Sequence, residues 1–188
     1  MSSRPRADAA RNRDKILTAA RGAFASGDGS VSFDALARRA GVGVATLYRN
    51  FPNRQALVEA IYHSELDDLV TLADTLLAAE PADVALRHWM DHYAVFVATK
   101  HGMAEAFQQA VATGSIGAGE TRERIRTVVG DFLSHGAAAG TLRGDIDPDD
   151  ATTALLGAVL GALSSGADAR QRERVLDIVV GGLRPGSA

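Results

Sequence analysis

The stretch Val31-Ser-Phe-Asp-Ala-Leu-Ala-Arg-Arg-Ala-Gly-Val-Gly-Val-Ala-Thr-Leu-Tyr-Arg-Asn-Phe51 decides the fold. Phe33, Leu36, Ala37 and Ala40 fall at i, i+3, i+4 and i+7 and so line one face of a short helix. Ser32 is placed to cap it, because its hydroxyl can accept from a free N–H of the first turn. Gly41 supplies the left-handed residue that closes it, and Gly43 opens a second helix. There Val44, Leu47, Tyr48 and Phe51 repeat the spacing, while Ala45, Thr46, Arg49 and Asn50 share the other face. Two short helices joined by a tight glycine turn form a helix-turn-helix. The free face of the second carries a hydroxyl, a guanidinium and an amide, groups that read base edges and phosphates. The pattern points to DNA reading.

Charge supports that reading. The chain of 188 residues has a formal net charge of −3. Residues 1–54 hold ten Lys and Arg against four Asp, so a head of +6 is joined to a remainder of −9. Binding a polyanion at one end requires this division. The hydrophobic fraction of 46% is enough for a sizeable core, but with only 5% aromatic residues it is built mainly from Ala, Leu and Val. No cysteine is present, which excludes disulfides, thiolate metal sites and a cysteine nucleophile. No uncharged apolar run approaches the ~18 residues a membrane-spanning helix needs. Residues 1–7, with Arg4 and Arg6, lack the apolar core of a signal peptide. A cytoplasmic protein with no membrane partner is expected.

Working outward, residues 1–7 read as an arm able to enter a minor groove, or as a tail without a role. A helix from about Asp8 to Ser26, with Ile16, Leu17, Ala20, Ala23 and Phe24 on one stripe, would cover the helix-turn-helix. Gly27-Asp-Gly-Ser30 reads as the turn between them. After Pro52, Asn53 can cap a long helix from Arg54 to about Ala79, whose first turn sets Arg54 beside phosphate. Further helices are expected over Ala82–Thr99, after Gly102, over Glu120–Ala139, behind the Asp147-Pro148 start, and over about Arg170–Leu183. The glycine-rich Thr113–Gly119 lacks the Gly-Lys-Ser/Thr ending of a phosphate loop and reads as a flexible connector. No strand signal appears, so the fold class is all-α, with a head over 1–53 and a body over 54–188. Val175 to Val180 is apolar nearly all round its helix, as a helix with two neighbours must be. The last two helices are therefore expected to meet a second copy of the chain, through Leu156, Leu160, Leu163, Leu176 and Val179.

The words Leu47-Tyr48-Arg49-Asn50-Phe51-Pro52-Asn53-Arg54-Gln55-Ala56-Leu57 resemble the end of the DNA-binding head of the tetracycline-repressor-like (TetR) family. The resemblance covers roughly the first third of the chain. Two positions depart from that family's pattern: Gly43 stands where a Ser is usual, and Asn50 where a His is usual. The resemblance implies a homodimeric regulator that binds a pseudo-palindromic double-stranded operator, a repressor released by a small-molecule effector. It assigns DNA contact to Ser32, Thr46, Tyr48, Arg49, Asn50 and Arg54. It also implies a ligand pocket in the body, where Trp89, Tyr93, Phe96, Met103, Phe107 and Phe132 concentrate the aromatic and Met content, with His92 and Gln108 nearby in sequence.

Catalysis finds no constellation to support it. His88 and His92 have the i, i+4 spacing of metal ligands but no third ligand placed by motif. The adjacent pairs Asp67-Asp68 and Asp149-Asp150 point to different helical faces, and no serine lies in a nucleophile elbow. No cofactor is expected. The rival reading is a helical ligand carrier or enzyme whose basic head binds some other anion.

Overall fold

The computed structural model describes residues 4–25 and 31–186. Among them the chain is helical throughout, without a strand, as the periodicities predict: α1 (Arg4–Ala25), α2 (Phe33–Ala40), α3 (Val44–Asn50), α4 (Arg54–Ala79), α5 (Ala82–Gly102), α6 (Ala104–Ala112), α7 (Ala118–Ala139), α8 (Pro148–Ser164) and α9 (Ala169–Leu183). No helix among the described residues is long and apolar enough to cross a membrane. α1 starts at Arg4, inside the stretch expected as an arm; what is left of that arm, and the Gly27–Ser30 turn, lie outside the described residues.

Two compact units form, and both draw on α4 and α5. The first comprises the chain up to Glu65 together with Ala98–Gly117; the second comprises Leu66–Val97 and everything from Ala118 onward. The compact units thus divide within α4, and α6 packs with the head.

In the first unit α1 lies across α2 and α3, burying Ile16, Ala20 and Phe24 with Leu36, Leu47 and Phe51. Two helices as short as α2 and α3 cannot hold themselves up, and this covering core is what makes them stand. Their ends are made locally. Ser32 Oγ accepts from the Ala35 N–H at 3.2 Å, and Gly41 at φ 64° lets its own N–H turn back on α2. Asn53 Oδ1 accepts from the Ala56 N–H at 2.8 Å, capping α4 after the break at Pro52. α6 is fastened at both ends. Before it, Gly102 sits against the backbone of Phe24 so closely that a Cβ would collide with the Phe24 carbonyl. After it, Thr113 and Ser115 accept from Gln55 Nε2 at 3.0 and 3.4 Å, and Ile116 is buried. Thr113–Gly119 is thus no loose connector: its hydroxyls are tied to the first turn of α4, and α7 has begun by Ala118.

In the second unit the core is centred on Trp89, which is fully buried, donates its indole N–H to the Leu69 carbonyl at 2.9 Å, and packs on Phe132. α8 begins as the sequence requires, with Asp147 accepting from the Asp149 N–H at 2.7 Å and Pro148 in the first turn. Arg122 on α7 forks onto the Asp149 carboxylate at 2.8 Å to each oxygen. α9 is pinned to α5 by Arg87–Asp177 at 2.5 Å and Arg184–Asp83 at 2.8 Å. These side chains are substantially exposed at one partner or both, so each pair fixes position more than it stabilises, contributing on the order of 1 kcal/mol or less.

Candidate nucleic-acid interface

α3 is held from beneath and presents its outer side. Leu47 is fully buried and Phe51, its C-cap, nearly so; together they anchor the helix in the head. Arg13 reinforces the anchor by lying 4.6 Å over the Phe51 ring. On the outer side Arg49 is exposed and runs back along its own helix, donating from Nε to the Ala45 carbonyl at 3.2 Å and from Nη2 to Thr46 Oγ1 at 2.9 Å. Asn50 donates to the Thr46 carbonyl at 2.8 Å. A guanidinium held this way has lost part of its rotamer freedom before it meets a ligand, which lowers the entropy cost of binding. Ser32 is exposed at the start of α2; its oxygen caps the helix while its hydroxyl hydrogen is still available to a phosphate. Arg38 and Arg39 in the last turn of α2 are exposed and add positive charge to the first unit.

Two side chains of α3 lie outside the inward row that their spacing predicts. Val44 and Tyr48 belong to the row predicted to face inward, yet they are 37% and 51% exposed. α3 is only two turns long, and its burial needs are met by Leu47 and Phe51. The Tyr48 ring is steadied instead by Phe33 of α2, with centroids 5.1 Å apart. Its hydroxyl is thereby held on the outer surface.

Arg54 also makes contacts within the head. It is half-buried, its guanidinium lies 5.2 Å over the Phe24 ring, and Nη1 donates to the Val31 carbonyl at 3.1 Å. Its long apolar stem lets the charged end fold back onto the head, so it ties α4 to α1 and to the start of α2.

The residues expected to line one ligand pocket are divided between the two units. Trp89, Tyr93, Phe96 and Phe132 belong to the second unit and Met103 and Phe107 to the first. In the second unit the rings fill one another's space: Trp89 stacks on Tyr93 at 5.3 Å, and Tyr93 neighbours Phe96 at 6.3 Å. In the first unit Phe107 packs on Tyr62 at 5.2 Å and carries the Lys100 ammonium 4.4 Å over its ring. Burial there holds Lys100 below the usual lysine range. His92 and Gln108 are exposed, turned away from the aromatics by their position on the outer faces of α5 and α6. His88 is exposed and bonded to Glu80 at 2.8 Å, and no group of three metal-ligating side chains occurs among the described residues. A cleft of about 510 Å³ does open in the first unit, between Phe24 and Arg54 on one side and His101, Met103, Glu105 and Gln109 on the other.

On α8 and α9, Leu176 is buried within its own unit. Leu156, Leu163 and Val179 are half-buried and Leu160 is 40% exposed. Ile178, part of the apolar run of α9 but not among the expected interface residues, is 74% exposed. Beside them Gly157, Gly161, Gly181 and Gly182 are exposed, and a Cβ at any of these would meet nothing.

Comparison with known proteins gives a consistent result. Residues 16–61 match the family model for bacterial regulatory proteins of the tetR family, and residues 80–185 match that for the C-terminal domain of SbtR-like transcriptional regulators. A TetR transcriptional regulator from Streptomyces coelicolor is 38% identical, with 93% of this chain and 99% of that chain covered, at a TM-score of 0.80. A TetR regulator from Mycobacterium vanbaalenii is 36% identical, covering 96% and 99% of the two chains at a TM-score of 0.71. A transcriptional regulator from Cytophaga hutchinsonii, 18% identical over 90% of this chain and 97% of its own, shares the fold at a TM-score of 0.62. No curated protein matches the chain.

Proposed function

Since this chain belongs to the TetR family of bacterial transcriptional regulators, we propose that it is a homodimeric repressor of the cytoplasm, released from a pseudo-palindromic operator by a small molecule. The single observation that carries the DNA part is the outer side of α3, with exposed Arg49 and Tyr48 beside Thr46 and Asn50, on a helix anchored by buried Leu47. Arg49 and Thr46 are the base readers, Arg49 most simply of a guanine and steadied by the Thr46 hydroxyl, while Tyr48 and Ser32 hold phosphate and Asn50 lies beside them. The head, residues 1–53, binds DNA; residues 54–188 carry the effector response and the second copy.

The second copy is proposed to sit on α8 and α9 over Leu160 and Ile178, where the open glycines allow close helix approach. A two-fold dimer places its two α3 helices on successive major-groove faces, so the half-site spacing follows from the protein's symmetry. For the effector, the inward face of α5 at Trp89 and Tyr93 is one site, which must open to accept it because its rings are packed on each other. The cleft at His101 and Met103, open to solvent on one side, is a second reading, favoured by the space it leaves in the unit that carries α3. In either, the effector is proposed to act by shifting α4, the helix to which both units contribute, and so changing the separation of the two α3 helices. A coupling of about 1–3 kcal/mol is typical and weakens operator binding roughly 5- to 150-fold.

Footprinting the purified protein on the promoter region of its own gene tests DNA binding, site and symmetry together. A protected pseudo-palindrome is expected; retention of anions without any protected sequence favours the ligand-carrier alternative. Trp89, the sole tryptophan, separates the effector sites. An effector seated on α5 perturbs its emission directly and loses affinity in Tyr93→Ala, whereas one seated in the cleft loses affinity in Met103→Ala.

A further inference from the structure

We propose that Val44 is a thymine reader, its side chain packing on the C5-methyl group of a thymine in the major groove. The inference rests on the DNA-reading role of α3 proposed above and names the base that the first turn of that helix selects.

Val44 is the first residue of α3 and one of five large apolar side chains left exposed among the described residues; Tyr48, one turn on, is another. Nothing in the head requires an apolar residue there. The burial of α3 is accomplished by Leu47 and Phe51, and Tyr48 has its own support in Phe33. Gly43 before it and Ala45 after it are exposed and small, and a Cβ on Gly43 would meet only Thr46 Oγ1 at 3.9 Å. The valine therefore stands on a low surface that a flat ligand edge can approach.

Its surroundings choose the ligand. Arg49 lies on the same helix, with exposed Arg38 and Arg39 on α2, so whatever covers Val44 comes from a polyanion. The major groove of DNA displays one apolar feature, the thymine C5-methyl, and side chains of this kind contact it. Val44 and Arg49 are five residues apart, about 7.5 Å along a helix axis. The thymine is therefore a different base from the one read by Arg49.

The test uses the footprinted operator as a full duplex, with each thymine of a half-site replaced in turn by deoxyuridine. That change keeps every hydrogen-bonding group and removes only the methyl. Wild-type protein is expected to lose about fourfold in affinity at one thymine per half-site, the worth of one buried methyl-sized group. Val44→Ala is expected to bind thymine-containing operator about as weakly, and to be indifferent to deoxyuridine at that same position. Any change in DNA shape caused by deoxyuridine affects both proteins alike, so only the difference between them reports contact. Because Val44 is exposed and alanine favours helix, the variant should melt with the wild type. If no thymine responds, or if Val44→Ala keeps the wild-type response at every thymine, the assignment to Val44 is overturned while DNA reading by α3 stands. A wild-type protein that protects no sequence overturns both.

Discussion

Gly102 and Phe24 meet backbone to side-chain position: the place a Cβ on Gly102 would take is already held by the carbonyl of Phe24. The end of α5 is thus set directly against the end of α1, within the unit that carries α3. A carbonyl in the last turn of a helix cannot swing aside as the tip of a side chain can. Gly102→Ala therefore gains up to about 1 kcal/mol of helix propensity but loses about 1–3 kcal/mol to overpacking, and the loss should win. Gly22→Ala, in α1 with nothing near the new methyl, should stabilise by about 0.5–1 kcal/mol. Thermal unfolding of the two variants should move in opposite directions.

Arg54→Ala should lower stability and leave the electrostatics of DNA binding alone. It removes the guanidinium from the Phe24 ring and from the Val31 carbonyl, together worth about 1–2 kcal/mol. The logarithmic salt dependence of operator affinity should match that of the wild type. A slope shallower by about one unit would put Arg54 on a phosphate after all.

Arg49→Ala should cost about 1–3 kcal/mol on the preferred operator and relax the choice of base at one position per half-site. Tyr48→Phe, which removes only the hydroxyl and keeps the ring on Phe33, should weaken binding to every sequence by a similar factor. Selection from random duplexes distinguishes the two patterns.

Substitutions on α9 should separate association from folding. Ile178→Arg places a charge where the protomer leaves the side chain 74% exposed, so the chain should fold normally and sediment as a monomer. Leu176→Arg puts the same charge into a site only 3% exposed and should unfold the second unit. A dimeric Ile178→Arg protein would move the interface off this face.

How far the sequence could be read depended on how long each element was. Helices of four turns or more, such as α4 and α7, carry enough apolar repeats that their existence and inward faces are fixed by pattern. α3 has two turns, and its stripe of Val44, Leu47, Tyr48 and Phe51 contains more apolar positions than its neighbours can cover. Periodicity has no means of telling which two lose. Arg54 was hidden for another reason: charge argues for the surface, but a long stem over an aromatic ring satisfies the guanidinium without leaving the head. The attachment of Thr113 and Ser115 to Gln55 joins residues almost sixty positions apart, and no local signal announces it. The aromatic cluster was legible as a concentration of rings, but sequence proximity could not show that Met103 and Phe107 pack with the head.

The separation on α3 between an anchoring side and a presenting side has an evolutionary consequence. Leu47 and Phe51 keep the helix standing; Val44, Ala45, Tyr48 and Arg49 take almost no part in doing so. Substitutions at such exposed positions usually change stability by no more than about 0.5 kcal/mol. A duplicated copy of this gene can therefore drift to a new target sequence by altering a handful of surface residues, each intermediate remaining folded and each change visible to selection only through the DNA it prefers.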